Sequence, residues 1–245
     1  MLWNDEAIVL SLRPHGESAG ILELLTRKHG RHLGVVHGCS SPRIRAMLQP
    51  GNRINVTWRA RIAEHLGVLT AELTTARASQ FFDQRIALIA LNAAIAIAAG
   101  VLPEREPHEP AYEASDALLD AIAAGTLTEW GPLFVWWELG LLNELGFGLD
   151  LSSCAVSGKS DDLIYVSPRS GRAVSREVGS PYHGRLLIFP PFLRGGGLEA
   201  VTAQDVSDGL RLTAHFLNRW MFEPHGKEIP FARQRLAELM STHHG

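Results

Sequence analysis

Short apolar runs separated by turn-forming residues fill the first 75 positions, and longer apolar stretches almost free of glycine and proline dominate the rest of the chain. Runs at residues 7–12, 21–26, 33–37, 54–59 and 66–73 have the length and β-branched content of strands. The connections carry Pro14-His15-Gly16, Lys28-His29-Gly30 and Gln49-Pro50-Gly51-Asn52, all with turn chemistry. Five short strands in so few residues predict a small closed or partly open barrel, and both an OB-fold and an SH3-like barrel satisfy the pattern. After residue 78 the pattern turns helical, with helices predicted over 81–99, 112–124, 127–145, 203–222 and 231–240. The helix at 127–145 is expected to open on Thr128, to carry Pro132 early and to end at Gly146. It is apolar around most of its circumference, which marks a central, buried helix. Residues 147–195 interrupt the helices, and 163–166 and 172–175 read as two short strands joined by the turn at 167–171.

Charge changes this picture from architecture towards function. The chain has a formal net charge of −3, yet residues 1–80 hold ten Lys or Arg against six acids, and residues 81–245 hold thirteen against twenty. Between residues 27 and 61 there are eight basic residues (Arg27, Lys28, Arg31, Arg43, Arg45, Arg53, Arg59, Arg61) and no Asp or Glu. A basic front on an acidic body points to a polyanionic partner for the front. If the loop over 38–50 is extended, Arg43 and Arg45 face the same way and reach one run of phosphates. Trp58 is the sole aromatic between Trp3 and Phe81, so backbone contact outweighs base stacking and sequence preference is expected to be weak. The competing reading is a solvated face in which Arg59 and Arg61 pair with Glu64 or Glu72.

Other chemistry is thin. Two distant cysteines, Cys39 and Cys154, offer no disulfide framework, and with no signal-peptide pattern in the first 20 residues a cytoplasmic setting is expected. Residues 86–102 are alanine-rich and interrupted by Asn92, which suits a buried helix better than a membrane span. His29, His32 and His37 lack the spacing of a metal site, and His243-His244 is too short a tract to signify one. Gly195-Gly196-Gly197 lacks the Lys-Ser/Thr of a phosphate loop, and Gly16-Glu17-Ser18-Ala19-Gly20 sits between barrel strands rather than at a strand-to-helix elbow. No nucleophile, base and orienting group come together, so no enzyme and no cofactor are expected.

Three segments in order, "HGRHLGVVHGCSSPRIRAMLQPGNRINVTWRARIAEHLG", "LDLSSCAVSGKSDDLIYVSPRSGRAVS" and "GKEIPFARQRL", resemble the RecO family of bacterial DNA repair proteins. The resemblance covers essentially the whole chain. It implies an α+β fold: an N-terminal OB-fold at 1–78, then a helical body at 79–245 with a zinc-finger-like β insertion at about 147–182. It also implies a recombination mediator that binds single- and double-stranded DNA and anneals complementary strands. With RecR, such a protein helps RecA displace single-stranded DNA-binding protein. Arg27, Arg31, Arg43, Arg45, Arg53 and Arg59 are the expected DNA contacts. Lys227, Arg233 and Arg235, beside Ile229, Phe231 and Leu236, would form the basic rim of a pocket for the acidic, apolar tail of single-stranded DNA-binding protein. Zinc-binding members carry two C-x-x-C pairs, where this chain has Cys154-x-x-Ser157 and Ser167-x-x-Ser170. Serine hydroxyls are poor zinc ligands, so the insertion is expected to hold its fold without metal. The alternative to a mediator is an OB-fold adaptor whose basic face binds RNA or an acidic protein.

Overall fold

In the computed structural model the described residues are 1–81 and 84–242, with the side chains of Glu199 and Thr242 set aside. Phe82 and Asp83, part of the first predicted helix, and the His243-His244 pair lie outside them. The chain forms two compact units, Met1–Ala123 and Ala124–Gly245.

The first unit is built on β1 (Leu2–His15), β2 (Ala19–Thr26), β3 (Gly30–His37), β4 (Arg53–Arg59) and β5 (Val68–Thr75). They close into a barrel in the order β1-β2-β3-β5-β4, which bears out the α+β expectation. Alternation sets the barrel's inside and outside. Val9, Leu22, Leu24, Val36, Ile54, Val56 and Leu69 point inward and are buried, while the residues between them face outward. The strands are longer than the apolar runs suggest, because β1 continues past a register shift between Val9 and Ser11 through Arg13, Pro14 and His15. All contacts are antiparallel except β3 with β5, which meet at the single register pair Val35–Val68.

Two details depart from the sequence reading. Residues 42–47 are not extended but form a short helix, α1 (Pro42–Met47), with Pro42 at its start. Trp58 is 2% exposed and packs in the barrel core, with Nε1 donating to the Leu66 carbonyl at 2.9 Å; it presents no face to a base. The next two helices, α2 (Arg85–Val101) and α3 (Glu109–Ala124), fall in the same compact unit as the barrel. Gly30 shows why the β2–β3 turn needs glycine: its φ is +67°, and a Cβ would collide with the Glu106 backbone.

The second unit centres on α4 (Leu127–Glu144) packed against α6 (Ala203–Leu217). The cap of α4 is Thr126, not Thr128: the Glu129 carboxylate accepts from the Thr126 N–H at 2.6 Å and hydroxyl at 2.9 Å. Gly146, with φ of +84°, follows the helix end as expected. Trp130, Phe134, Val135, Leu141 and Leu142 are buried, whereas Trp136 is exposed. The inserted segment holds β6 (Leu163–Val166), β7 (Ala173–Ser175) and, unforeseen in the sequence, β8 (Leu187–Ile188), in the order β7-β6-β8. A two-residue strand carries too little pattern to be read in advance. Short α5 (Arg176–Gly179) follows β7, and α7 (Phe231–Thr242) closes the chain. No described helix is long and apolar enough to cross a membrane.

A buried ion pair ties α4, α6 and α7 together. Arg233 Nε and Nη2 donate to the two Glu138 carboxylate oxygens at 2.6 and 2.8 Å, and both side chains are 0% exposed. Thr213 and the Leu210 carbonyl join the network. Removing one partner strands a charge in the interior, so Arg233→Ala is expected to cost about 3–5 kcal/mol. Replacing both by apolar residues, as in Glu138→Leu/Arg233→Met, is expected to recover most of that loss. Chemical-denaturation midpoints of the two variants against wild type check this.

Candidate nucleic-acid interface

The six arginines expected to contact DNA divide into two groups by their partners. Arg27, in the β2–β3 turn, donates through Nε to Glu109 at 2.7 Å and through Nη2 to Glu113 at 2.5 Å, with Glu6 at 3.6 Å. The hydrogen bond and charge of Glu109, joined by Glu113, hold its guanidinium above its ordinary pKa. Arg31 pairs with Glu23 at 2.6 Å, a diagonal cross-strand contact on the outer face, and donates to the Leu102 carbonyl. Arg53 pairs with Asp116 at 2.7 Å and donates to Thr75. Each of these three is already neutralised.

Arg43, Arg45 and Arg59 form no salt bridge among the described residues, and all three are exposed. Helix α1 alters the expected geometry of the first two. Successive residues turn by about 100° in an α-helix, so Arg43 and Arg45 diverge instead of sharing one side. Arg45 Nε donates to the Cys39 carbonyl at 3.0 Å, which fixes its stem. Arg61 is likewise exposed and forms no salt bridge among the described residues, and neither it nor Arg59 bridges to Glu64 or Glu72.

Register reveals what the unpaired arginines share. On the outer face Arg13 lies opposite Ile21, Ile21 opposite Val35, Val35 beside Val68, and Val68 opposite Arg59. Four interstrand steps of about 4.8 Å make a band of roughly 19 Å measured around the closed barrel, with an arginine at each end and apolar side chains between. The next row holds His15, Ala19 and His37, both histidines exposed. The Cys39 N–H donates to the Ser18 carbonyl, which places the start of α1 beside this row. Arg61 and His65 sit in the β4–β5 loop beside Arg59. Arg13, His15, His37, Arg61 and His65 are not among the expected contacts, although they lie in or beside this band. Arg13 and His15 are two apart, on one face of β1, beyond residue 12 where the apolar run ends.

The other candidates fare differently. His32 points inward, edge-on to Trp3 and Trp58, and burial, then Arg105, lowers its pKa to about 4. His29 stacks on Trp3 at 4.1 Å and pairs with Asp5 at 2.8 Å. Arg233, expected on a surface rim, is instead the buried partner of Glu138, while Phe231, two residues earlier on α7, is exposed. Lys227 and Arg235 are exposed.

The insertion's knuckle does not suit zinc. Its donors are one thiol and serine hydroxyls, and neutral hydroxyls do not stabilise a dication as thiolates do. Cys154 is buried, with its N–H bonded to the Lys159 carbonyl and its carbonyl accepting from Gly158. Ser175 Oγ donates to Cys154 Sγ at 3.5 Å. Burial pushes this thiol up, but hydroxyl and backbone donors of Ser157 and Ser175 outweigh it and bring its pKa down to about 6. Burial raises that of Cys39. A thiol depressed on folding adds stability above its unfolded pKa and loses it as pH falls through the folded value. Stability should therefore rise between about pH 6 and pH 9. The thiolate ultraviolet absorbance should show a step near pH 6 that survives Cys39→Ser and vanishes in Cys154→Ser.

Comparison with known proteins bears on the whole chain. Residues 1–77 match the family described as Recombination protein O N terminal, and residues 83–228 match Recombination protein O C terminal. Among similar proteins, the DNA repair protein RecO of Rhodospirillum rubrum is 52% identical over 97% of this chain and 96% of its own. That of Rhodospirillum centenum is 49% identical over 100% and 96%, and that of a Caulobacter species 47% over 98% of each.

Proposed function

This chain belongs to the RecO family, with a role in DNA repair and recombination, and from that premise we propose that its barrel, residues 1–78, is the nucleic-acid-binding part of a recombination mediator. The observation that carries the reading is the acid-free band from Arg13 to Arg59, with Arg43 and Arg45 on α1 and Arg61 in the β4–β5 loop. OB-folds take oligonucleotides on the face of strands 2 and 3 and on the loops after strands 1 and 4; Ile21 and Val35 of the band lie on β2 and β3, and Arg61 lies in the loop after β4. Arginines bind phosphates through paired N–H donors. The apolar floor of Ile21, Val35 and Val68 offers sugars and bases a dry surface without selecting among them, which supports weak sequence preference.

In this reading the protein binds single- and double-stranded DNA and anneals complementary strands by holding a backbone while leaving base edges free to pair. With RecR it helps load RecA onto DNA coated with single-stranded DNA-binding protein. The tail of that protein is acidic and apolar; exposed Lys227, Arg235 and Phe231 in the second unit offer it charge and an apolar contact. Arg233 takes no direct part. The adaptor alternative, an RNA or acidic-protein ligand on the same band, predicts a preference for a 2′-hydroxyl or competition between DNA and protein.

The test is fluorescence polarisation of a labelled single-stranded oligonucleotide across a salt series. Five unpaired arginines neutralising about five phosphates give a log–log slope near −3.5. Arg43→Glu/Arg45→Glu is expected to weaken binding at least about tenfold and to flatten the slope by roughly 1.4. Salt-independent binding that ignores both substitutions would reject the reading. For the tail peptide, Lys227→Glu/Arg235→Glu should abolish measurable binding while leaving the denaturation midpoint unchanged.

A further inference from the structure

Besides Glu6 and Glu23 of the strands, the acids that neutralise one side of the barrel belong to a single helix face. Glu109, Glu113, Asp116 and Asp120 lie at i, i+4, i+7 and i+11 of α3, which brings them into one stripe about 16 Å long. Glu109 and Glu113 take Arg27, Asp116 takes Arg53 and Arg77, and Asp120 takes Arg77. Four regularly spaced negative charges thus lie along a row of barrel arginines as a phosphate backbone would. The unpaired arginines occupy a different part of the barrel. Thr26, beside Arg27, and Ala19, beside the α1 end, are at opposite ends of β2, roughly 23 Å apart.

The two halves of the stripe differ in burial, and the difference separates structural from electrostatic roles. Arg77 is 0% exposed, so Asp116 and Asp120 are needed to keep a buried charge paired. Arg27 is 36% exposed, and Glu109 and Glu113 are half exposed. Exposed pairs of this kind add little to stability, so folding alone does not account for placing two α3 carboxylates on a surface arginine that Glu6 already approaches.

Resting on the reading of the barrel as a nucleic-acid surface, we infer that Glu109 and Glu113 are positioning residues that exclude nucleic acid from the Arg27 side of the barrel and confine it to the Arg13–Arg59 band. They act through Arg27, occupying its donors and supplying like charge where a phosphate would approach. The exposed Lys28 beside Arg27 would otherwise extend a second basic corner.

Single-strand binding is measured over a salt series for wild type, for Glu109→Gln/Glu113→Gln, and for the same variant with Arg27→Gln added. Removing both helix acids leaves Arg27 only its longer 3.6 Å contact with Glu6; one arginine released to phosphate steepens the log–log slope by about 0.7 and tightens binding about fivefold near 0.1 M salt, and Arg27→Gln returns both to wild type. Asp116 and Asp120 are left intact so that Arg77 stays paired, and an unchanged melting temperature confirms folding. Salt-steep wild-type binding with no change in the double variant overturns this inference alone, as does a gain that survives Arg27→Gln. Wild-type protein without salt-steep binding overturns the functional reading, and this inference with it.

Discussion

A guanidinium sealed from water must have carboxylates beside it, and Arg77 is such a group. It follows β5, is fully buried, and donates to Asp116 and Asp120 at 2.6 Å each. Leaving it unpaired would cost several kcal/mol, so α3 cannot leave the barrel without stranding it. Arg53 shares Asp116, and the Asn52 side chain accepts from the Ala78 N–H and donates to the Ala46 and Met47 carbonyls. These contacts join α1, the start of β4, the end of β5 and α3. The first unit is therefore a barrel whose external helix is fixed by charge, and the second uses the same device in Glu138 and Arg233.

The strands were legible because barrel positions alternate and the core takes Val, Ile and Leu at every second place, as in Leu22–Leu24 and Ile54–Val56–Trp58. The ends were not, since Arg13–Pro14–His15 is polar and pairs only by virtue of β2 lying alongside. Helix α1 escaped notice because six residues with two arginines and no buried side chain have no amphipathic pattern to read. Thr126 and Thr128 are equally good caps by composition. The choice fell to the one with Glu129 three residues on.

For the site, the sequence revealed that positive charge gathers in residues 27–61 but not which charges remain free. That depends on partners distant in the chain: Glu109 and Glu113 for Arg27, Asp116 for Arg53. The acidic stripe of α3 was readable as a periodicity, yet periodicity names a face and not the surface it meets. Arg233 failed as a surface residue for the same reason. Its buried position is set by Glu138, 95 residues earlier.

The barrel's closure is uneven. Four of its five interstrand contacts are long antiparallel ladders, while β3 and β5 meet at Val35 and Val68, with the Val35 N–H bonded to the Gly67 carbonyl. This seam is where the cylinder opens at least cost, since few hydrogen bonds must break there. It is also the third of the four steps in the band from Arg13 to Arg59. If the proposed polyanion is held at both ends of that band, it spans the seam like a hoop around staves, and ligand and barrel closure would be thermodynamically linked. Occupied protein would then breathe less at β3 and β5 than empty protein, and the stiffness of the fold would itself register whether a strand is held.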